Sequence, residues 1–363
     1  MSPHEILIAV MAGFAVLGAL DRIFGNRIGL GPEFENGILA LGSLALSMVG
    51  IISLAPVLAN LLRPVVVPVY RILGADPAMF AGTILANDMG GAPLAQELAG
   101  SPEAAKLGGL LVGAMLGATV VFTIPVALGI LDPGDRPALA KGVLAGIVTI
   151  PLGVLAGGLV AGFPVLMVLR NLIPIVLIAL LIALGLWKWE GGMIRGFAGF
   201  GKIIVAVITV GLAAALVEAL TGFVVIPGMA PISEGLTIVG DIALVLAGAF
   251  PLVWTITKVF RKPLLRLGHL LGMNDTAAGG LIASLANSIA MFGMVKDMDQ
   301  RGKVINVAFA VSAAFVFGDH LGFTAGFDST MIFPMIVGKL VGGVTAVAVA
   351  MLITRKYKEE RHG

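Results

Sequence analysis

The sequence contains no cysteine and few charged residues, and each shortage excludes a class of protein. Without cysteine the chain has no disulfide framework and no thiolate metal site. Charged residues make up 12% of the chain, whereas a soluble domain usually has about 25%. Hydrophobic residues make up 58% and fall in long, numerous runs. The sequence therefore predicts an all-α polytopic protein that crosses a membrane many times, with membrane lipid around it.

Common enzyme motifs are also missing. The four histidines are scattered and form no metal set, and there is no H-E-x-x-H, no P-loop and no G-x-S-x-G elbow. The basic residues lie scattered at loop ends, which does not suggest a surface for nucleic acid. We therefore expect no enzymatic activity, no cofactor, no metal and no nucleic-acid partner.

Nine segments are apolar for about 20 residues, the length that spans a bilayer. They are roughly 5–24, 37–62, 105–131, 138–160, 165–187, 201–223, 235–257, 303–322 and 329–353. Two further apolar regions, 77–99 and 275–297, are each interrupted near the centre by polar residues. We expect these two regions to be broken helical hairpins.

The chain also repeats itself. At an offset of 198 residues, Gly50 matches Gly248, Arg63 matches Arg261, Gly74 matches Gly272, Asp76 matches Asn274 and Gly82 matches Gly280. The pattern predicts a first repeat over 1–164, a linking span over 165–198 and a second repeat over 199–363. Each repeat has the order span, span, hairpin, span, span. Five spans precede the second copy, so the two copies have opposite orientation, as in secondary transporters.

The positions of lysine and arginine predict the orientation. The C-terminal tail RKYKEERHG should be cytoplasmic. Counting back through two spans places both ends of 275–297 on the cytoplasmic side, so this region should re-enter rather than cross. The charges leave open whether 77–99 re-enters or crosses, and the repeat favours re-entry. Most of the 23 basic residues are then cytoplasmic, while Arg63, Arg71 and Lys106 fall on the other side.

Ionisable residues deep in a bilayer are costly and often functional. Asp88 lies at the centre of 77–99, whereas the centre of 275–297 is polar but uncharged, which suits one cation site. Two glycines after Asp88 would let the backbone turn and a ligand approach closely. The predicted substrate-binding residues are Asp88, Asn87, Gly90, Gly91, Asn287, Ser288, Asp319 and His320.

Other charged residues within the spans have simpler explanations. Asp21, Glu218 and Asp241 are expected near the interface or in helix pairing rather than at a ligand. Lys339 could neutralise a buried carboxylate such as Asp319 or act directly. The neighbouring pair Asp319–His320 could seal a helix end or take part in a proton step.

Long stretches of the chain, among them ANDMGGAPLAQELAG, GVLAGIVTIPLG and IFPMIVGKLVGGVTAVAVAM, resemble the ethanolamine-utilization permease family, EutH. The resemblance covers nearly the whole chain and implies a bacterial inner-membrane permease that brings ethanolamine into the cell. The family has Asn-Asn-Ile-Pro at the second tip, whereas this chain has Asn287-Ser288-Ile289-Ala290.

Several alternatives remain open at this point. The protein could be an ion- or proton-coupled transporter of another small amine or amino acid, or a membrane receptor that transports nothing. Glycine-rich faces such as GGLLVGAMLG fit packing within one chain as well as packing in a homo-oligomer.

Overall fold

The computed structural model describes residues 3–355, without the side chains of Pro3, Glu190, Phe260, Arg261, Leu264, Leu267 and His269. Within this range the chain is helical and contains no β-strand, which confirms the predicted all-α class. The helices are α1 (Pro3–Ile23), α2 (Gly31–Ile72), α3 (Ala78–Ile84), α4 (Gly91–Leu98), α5 (Pro102–Lys106), α6 (Ile124–Ile130), α7 (Arg136–Ile147), α8 (Ile150–Val160), α9 (Val165–Lys188), α10 (Glu190–Thr221), α11 (Ile232–Leu270), α12 (Asp275–Ala286), α13 (Ser288–Met294), α14 (Gln300–Ala313), α15 (Asp319–Phe327) and α16 (Ile332–Ile353). Between α5 and α6 the helix widens to π-helix over Leu107–Gly117 and Thr119–Thr123.

Eight helical stretches in the described chain are long and apolar enough to cross a membrane. They are His4–Ile23, Gly31–Ile72, Pro102–Ile130, Pro133–Val160, Val165–Lys188, Gly191–Thr221, Ile232–Val259 and Ser329–Ile353. Each corresponds to one of the nine predicted spans, so the prediction of a multi-pass membrane protein is confirmed.

The ninth prediction, one continuous span over 303–322, is wrong. Helix α14 ends at Ala313, and α15 begins only at Asp319. Between them Phe315 has a φ of 61°, which a helix cannot accommodate. The N–H groups of Phe315 and Phe317 donate to carbonyl oxygens of α12, those of Ser284 (3.0 Å) and Leu285 (2.9 Å). The helix therefore opens because a neighbouring helix accepts its backbone hydrogen bonds.

Two of the eight helices extend well beyond their predicted C-terminal ends. Helix α2 has 42 residues against the predicted 37–62, and α11 has 39 against 235–257. At 1.5 Å per residue α2 is about 63 Å long, twice the thickness of the hydrocarbon core. Both helices continue through proline-containing segments that lie beyond the predicted spans. Pro64, Pro68 and Pro263 lie on exposed faces, where the carbonyl groups they leave unpaired can bond to solvent or lipid headgroups.

The helix breaks predicted within 77–99 and 275–297 are present. The first lies between α3 and α4, where Leu85 and Ala86 are extended before a 3₁₀ turn, Asn87–Met89. The second is a single extended residue, Asn287, between α12 and α13. Helices α3 and α4 pack against the π-helical segment in the most enclosed part of the protein. This packing buries the first break inside the bundle.

Candidate functional site

The first break is shaped by its two glycines. Gly90 has a φ of 97°, and the N–H of Gly91 donates to the carbonyl oxygen of Ala86 (2.8 Å). A Cβ on Gly90 would lie 2.2 Å from a side-chain carbon of Ile51, so only glycine fits there. Both glycines are buried against protein, and neither lines the cavity that lies beside this break. They hold the turn that presents Asp88.

A cavity of about 270 Å³ lies beside the first break, and we call it the central cavity. Its walls come from α2, the first break, the π-helical segment, α13, the opening between α14 and α15, and α15 itself. They consist of Ser43, Leu44, Ser47, Ala86, Asp88, Met89, Ala118, Phe122, Ile289, Phe315, Asp319 and His320. Three of the eight predicted site residues, Asp88, Asp319 and His320, therefore face the same space although they are far apart in sequence.

Three other predicted residues lie next to the cavity wall. Asn87 and Ser288 are fully buried, and their side-chain polar atoms bond to no described protein group. Asn287 accepts a hydrogen bond from the N–H of Ile289 (2.7 Å) and so caps α13. Buried polar atoms normally have a partner. Asn87 and Ser288 thus have spare bonding capacity one residue away from the cavity-lining Asp88 and Ile289.

A buried lysine connects to this cavity through a histidine. Lys339 of α16 is 1% exposed, and its Nζ lies 2.9 Å from His320 Nδ1 and 2.5 Å from the carbonyl oxygen of Ala114. An ammonium group can only donate, so Nδ1 accepts and the ring proton is on Nε2. That Nε2 lies 3.9 Å from Asp88 Oδ1. Lys339 is thus linked to Asp88 through His320, and not paired with Asp319 as the sequence suggested.

The charges around the cavity do not balance. Asp88 and Asp319 carry two formal negative charges and Lys339 one positive charge, which leaves one negative charge in a largely apolar wall. Asp319 sits in the first turn of α15, where the helix dipole favours a carboxylate. Such a site can hold a small molecule that has one positive charge.

Sequence reasoning missed several of these residues. Ser43 and Ser47 lie in an apolar run that looks like an ordinary span, and the π-helix that presents Ala114 leaves no charge or proline as a clue. The only signal there was the run of glycines between 107 and 117, which indicates close packing. π-helical turns occur often at functional sites, and this one supplies the carbonyl oxygen that holds Lys339.

Comparison with known proteins gives a consistent family. Residues 4–353 match the family described as "Ethanolamine utilisation protein, EutH". The "Probable ethanolamine permease EutH" of Listeria monocytogenes serotype 1/2a (strain 10403S) is 64% identical over 356 residues, 98% of this chain and 95% of that protein. The protein of the same name in Escherichia coli (strain K12) is 52% identical over 394 residues, covering 98% and 97%. In Bacillus subtilis (strain 168), "Uncharacterized protein YxeR" is 51% identical over 354 residues, covering 98% and 96%.

No solved structure matches the chain. The family match extends over almost all described residues, and the relatives align from end to end. The chain belongs to the EutH family of ethanolamine utilisation proteins.

Proposed function

We propose that this protein is a permease that carries ethanolamine across the bacterial inner membrane. The observation that carries the proposal is the central cavity, where two carboxylates line the wall, one buried lysine lies behind His320, and one negative charge is left. Protonated ethanolamine has one positive charge. Two of the relatives are named probable ethanolamine permeases. A cavity of about 270 Å³ has the volume of roughly nine water molecules, enough for a ligand of four non-hydrogen atoms with some water.

The side chains suggest how the ligand is held. In this proposal the ammonium group of ethanolamine binds the carboxylates of Asp88 and Asp319, which line the cavity together with His320. Asn87 and Ser288 have buried polar atoms without a protein partner, so small rotations could bring them to the ligand hydroxyl. Asn287 orients the start of α13 beside them. Gly90 and Gly91 act through the turn rather than by contact.

Reciprocal contacts support the inverted repeat. A Cβ on Gly50 would lie 2.0 Å from the carbonyl oxygen of Ile208, and one on Gly248 would lie 2.1 Å from that of Met11. Gly50 and Gly248 are matched positions, and Met11 and Ile208 are matched at the neighbouring offset of 197. Each copy therefore packs its glycine against the equivalent helix of the other copy, as a pseudo-two-fold axis requires.

A second pair of contacts follows the same rule. A Cβ on Gly37 would lie 2.4 Å from the backbone nitrogen of Ala247, and one on Gly235 would lie 3.1 Å from the Cα of Val49. Both glycines and both partners are 198 residues apart. Helices α2 and α11 also end at matched positions, Ile72 and Leu270.

The two hairpins also correspond in structure. Gly74 and Gly272 both have positive φ, of 69° and 75°. A Cβ on Gly82 would meet the carbonyl of residue 108, and one on Gly280 would meet Asn306, again 198 residues further on. These likenesses support treating 77–99 and 275–297 as equivalent re-entrant hairpins whose tips meet near the middle of the membrane.

The proposed topology then has nine crossings. Eight are the continuous helical stretches, and the ninth is α14 with α15, opened at 314–318. Such interrupted helices line the substrate sites of secondary transporters. The repeats keep the boundaries 1–164 and 199–363 around the linking segment 165–198, which also includes the first turns of α10. The C-terminus is cytoplasmic in this proposal, and its last basic residues lie outside the described part of the chain.

Uptake of labelled ethanolamine into proteoliposomes tests the function. The Asp88→Asn variant should lose uptake, because it removes one of two charges that face the ligand. Asp241→Asn is the matched control, since Asp241 is an exposed acid of α11 that does not line the central cavity. Normal uptake by Asp88→Asn would refute the role given to Asp88. Binding of ethanolamine with no flux in sealed vesicles would indicate a receptor instead.

A proton-coupled transporter is the second candidate, and the contact chain from Lys339 through His320 to Asp88 favours it. Histidine is the side chain suited to gain or lose a proton near neutral pH. An imposed proton gradient that drives uphill accumulation of ethanolamine would support coupling. Uptake that only equilibrates under the same gradient would support a passive facilitator.

A further inference from the structure

A second cavity, of about 740 Å³, lies where the end of α2 and the ends of the first hairpin meet the start of α9. It shares no residue with the central cavity. Three arginines line it, Arg63 and Arg71 from α2 and Arg170 from α9, and we call it the arginine cavity. Its wall also includes the apolar side chains of Val67, Leu166 and Met167.

The arginine cavity keeps a net positive charge within the described chain, because three arginines share its wall with one carboxylate. Arg71 and Arg170 form no ion pair or hydrogen bond there, and Arg63 donates to the backbone carbonyl of Glu97 (2.7 Å). The one carboxylate in the wall, that of Asp76, accepts hydrogen bonds from the N–H groups of Ala78 (2.9 Å) and Gly100 (3.0 Å). Its oxygens bind the backbone and leave the guanidinium groups open to an anion.

The position of these arginines is unusual for a membrane protein. On the proposed orientation they lie on the side away from the cytoplasm, where lysine and arginine are normally depleted. The remaining basic residue predicted for that side, Lys106, pairs with Asp328 at 2.8 Å. The unneutralised basic groups of that surface therefore converge on one cavity instead of being dispersed.

The surroundings of the cavity are apolar. Val67 of α2 and Met167 of α9 line it, and a third lining residue, Leu166 of α9, is 60% exposed. Exposed aliphatic side chains beside membrane-spanning helices suit acyl chains, while arginine suits a phosphate group because its planar fork can bind two oxygens. A soluble anion would use only the arginines, whereas a phospholipid would use both features.

We propose that the arginine cavity binds the phosphate of an anionic phospholipid, with the acyl chains against the apolar side chains of α2 and α9 that line it. The bound headgroup would lie beside Asp76 and Gly100, which join the two ends of the first hairpin. Lipid binding would thus stabilise the base of the hairpin that carries Asp88.

Thermal unfolding of the purified full-length chain in detergent tests this proposal. Phosphatidylglycerol should raise the unfolding temperature more than phosphatidylcholine at the same concentration. Loss of a hydrogen bond between charged groups weakens binding about 10-fold, so Arg71→Gln with Arg170→Gln should raise the phosphatidylglycerol concentration needed for half of the shift roughly 100-fold. The control is Arg195→Gln with Lys202→Gln, which removes two exposed basic residues of α10 and should leave the response unchanged.

Three results would overturn the proposal. The two lipids could stabilise equally, the arginine variant could keep the full response, or inorganic phosphate alone could reproduce the shift, which would indicate a soluble anion. If the arginine variant does not fold, a photoactivatable phosphatidylglycerol can be cross-linked to the wild-type chain. Cross-links should then concentrate in 61–77 and 164–171, and a uniform distribution would contradict the site.

Discussion

Replacing Lys339 with glutamine should change the charge of the ligand that the central cavity prefers from one to two. The ammonium of Lys339 offsets one of the two carboxylates, and without it Asp88 and Asp319 leave two negative charges. Ethanolamine would then neutralise only half of the charge. A short diamine such as 1,3-diaminopropane, which has two positive charges at neutral pH, would neutralise all of it.

The magnitude follows from the spacing of the charges. Lys339 Nζ lies 2.9 Å from His320 Nδ1, and His320 Nε2 lies 3.9 Å from Asp88 Oδ1, so the ring of His320 separates the two charges. Two unit charges roughly 8 Å apart interact by about 2 kcal/mol at an effective dielectric constant near 20. Since about 1.4 kcal/mol is a factor of ten, the upper limit is ~30-fold. Allowing for relaxation and water, we expect Lys339→Gln to shift the preference for diamine over ethanolamine by ~10-fold.

The assay is competition between the two amines in proteoliposome uptake, with three variants compared to wild type. Lys339→Gln should favour the diamine. Lys339→Gln combined with Asp319→Asn should favour ethanolamine again, because the net charge returns to one. Asp319→Asn alone should take up neither amine well. All three purified variants should be checked to be folded and monodisperse. Because the double variant also lacks Lys339, normal uptake of ethanolamine by it would show that loss of the lysine does not disrupt the fold.

The counter-charge role of Lys339 would be refuted if folded Lys339→Gln protein kept the wild-type order of preference. It would also be refuted if the double variant preferred the diamine as strongly as Lys339→Gln does. Either result would mean that Lys339 only orients His320 or fills space in the bundle.

Two further predictions concern stability. Burial raises the pKa of the Asp328 carboxyl, but hydrogen bonds from Lys106 and Thr330 outweigh it and hold that pKa below its ordinary value. Because the pKa is lowered in the folded state, the ionised carboxylate of Asp328 stabilises the fold at pH values above its ordinary pKa of 3.8, and this stabilisation is lost as the pH falls through the folded-state pKa. Unfolding temperatures between about pH 5 and 3 should therefore decline less in Lys106→Gln than in wild type. Parallel curves would contradict this. Gly50→Ala and Gly248→Ala should each destabilise by about 1–3 kcal/mol, because each Cβ would overlap a carbonyl oxygen of the other repeat. Gly42→Ala, on the open side of α2, should be neutral or slightly stabilising in the same denaturation assay, and an effect at only one of the two matched glycines would argue against the repeat.

The breaks within 77–99 and 275–297 could be predicted because their cause is local. A membrane helix that continued through Asn87, Asp88 and the following Gly-Gly pair would be destabilised by their polar side chains and flexible backbone. Asn287 is a residue type that commonly caps a helix N-terminus. The repeat stays a prediction, which the matched glycines indicate because close helix packing leaves few substitutes for them. The charge of Asp88, in an otherwise apolar region, marked the position that faces the central cavity.

The remaining features depend on contacts that no local pattern shows. The opening at 314–318 follows a run of small and apolar residues. Its backbone N–H groups at Phe315 and Phe317 donate to carbonyl oxygens of α12, at Ser284 and Leu285, which are distant in the sequence. The contact between Lys339 and His320 joins α16 to α15, and no sequence pattern favours it over an ion pair between Lys339 and Asp319. The lengths of α2 and α11 were underestimated because proline and arginine normally mark the end of a span.

The most direct test of one cation site between the broken helices is an experimental structure with ethanolamine bound. We expect ligand density in the central cavity, with the ammonium nitrogen about 2.7–2.9 Å from a carboxylate oxygen of Asp88 or Asp319. Density for ethanolamine elsewhere in the membrane region, with the central cavity filled only by water, would contradict the account.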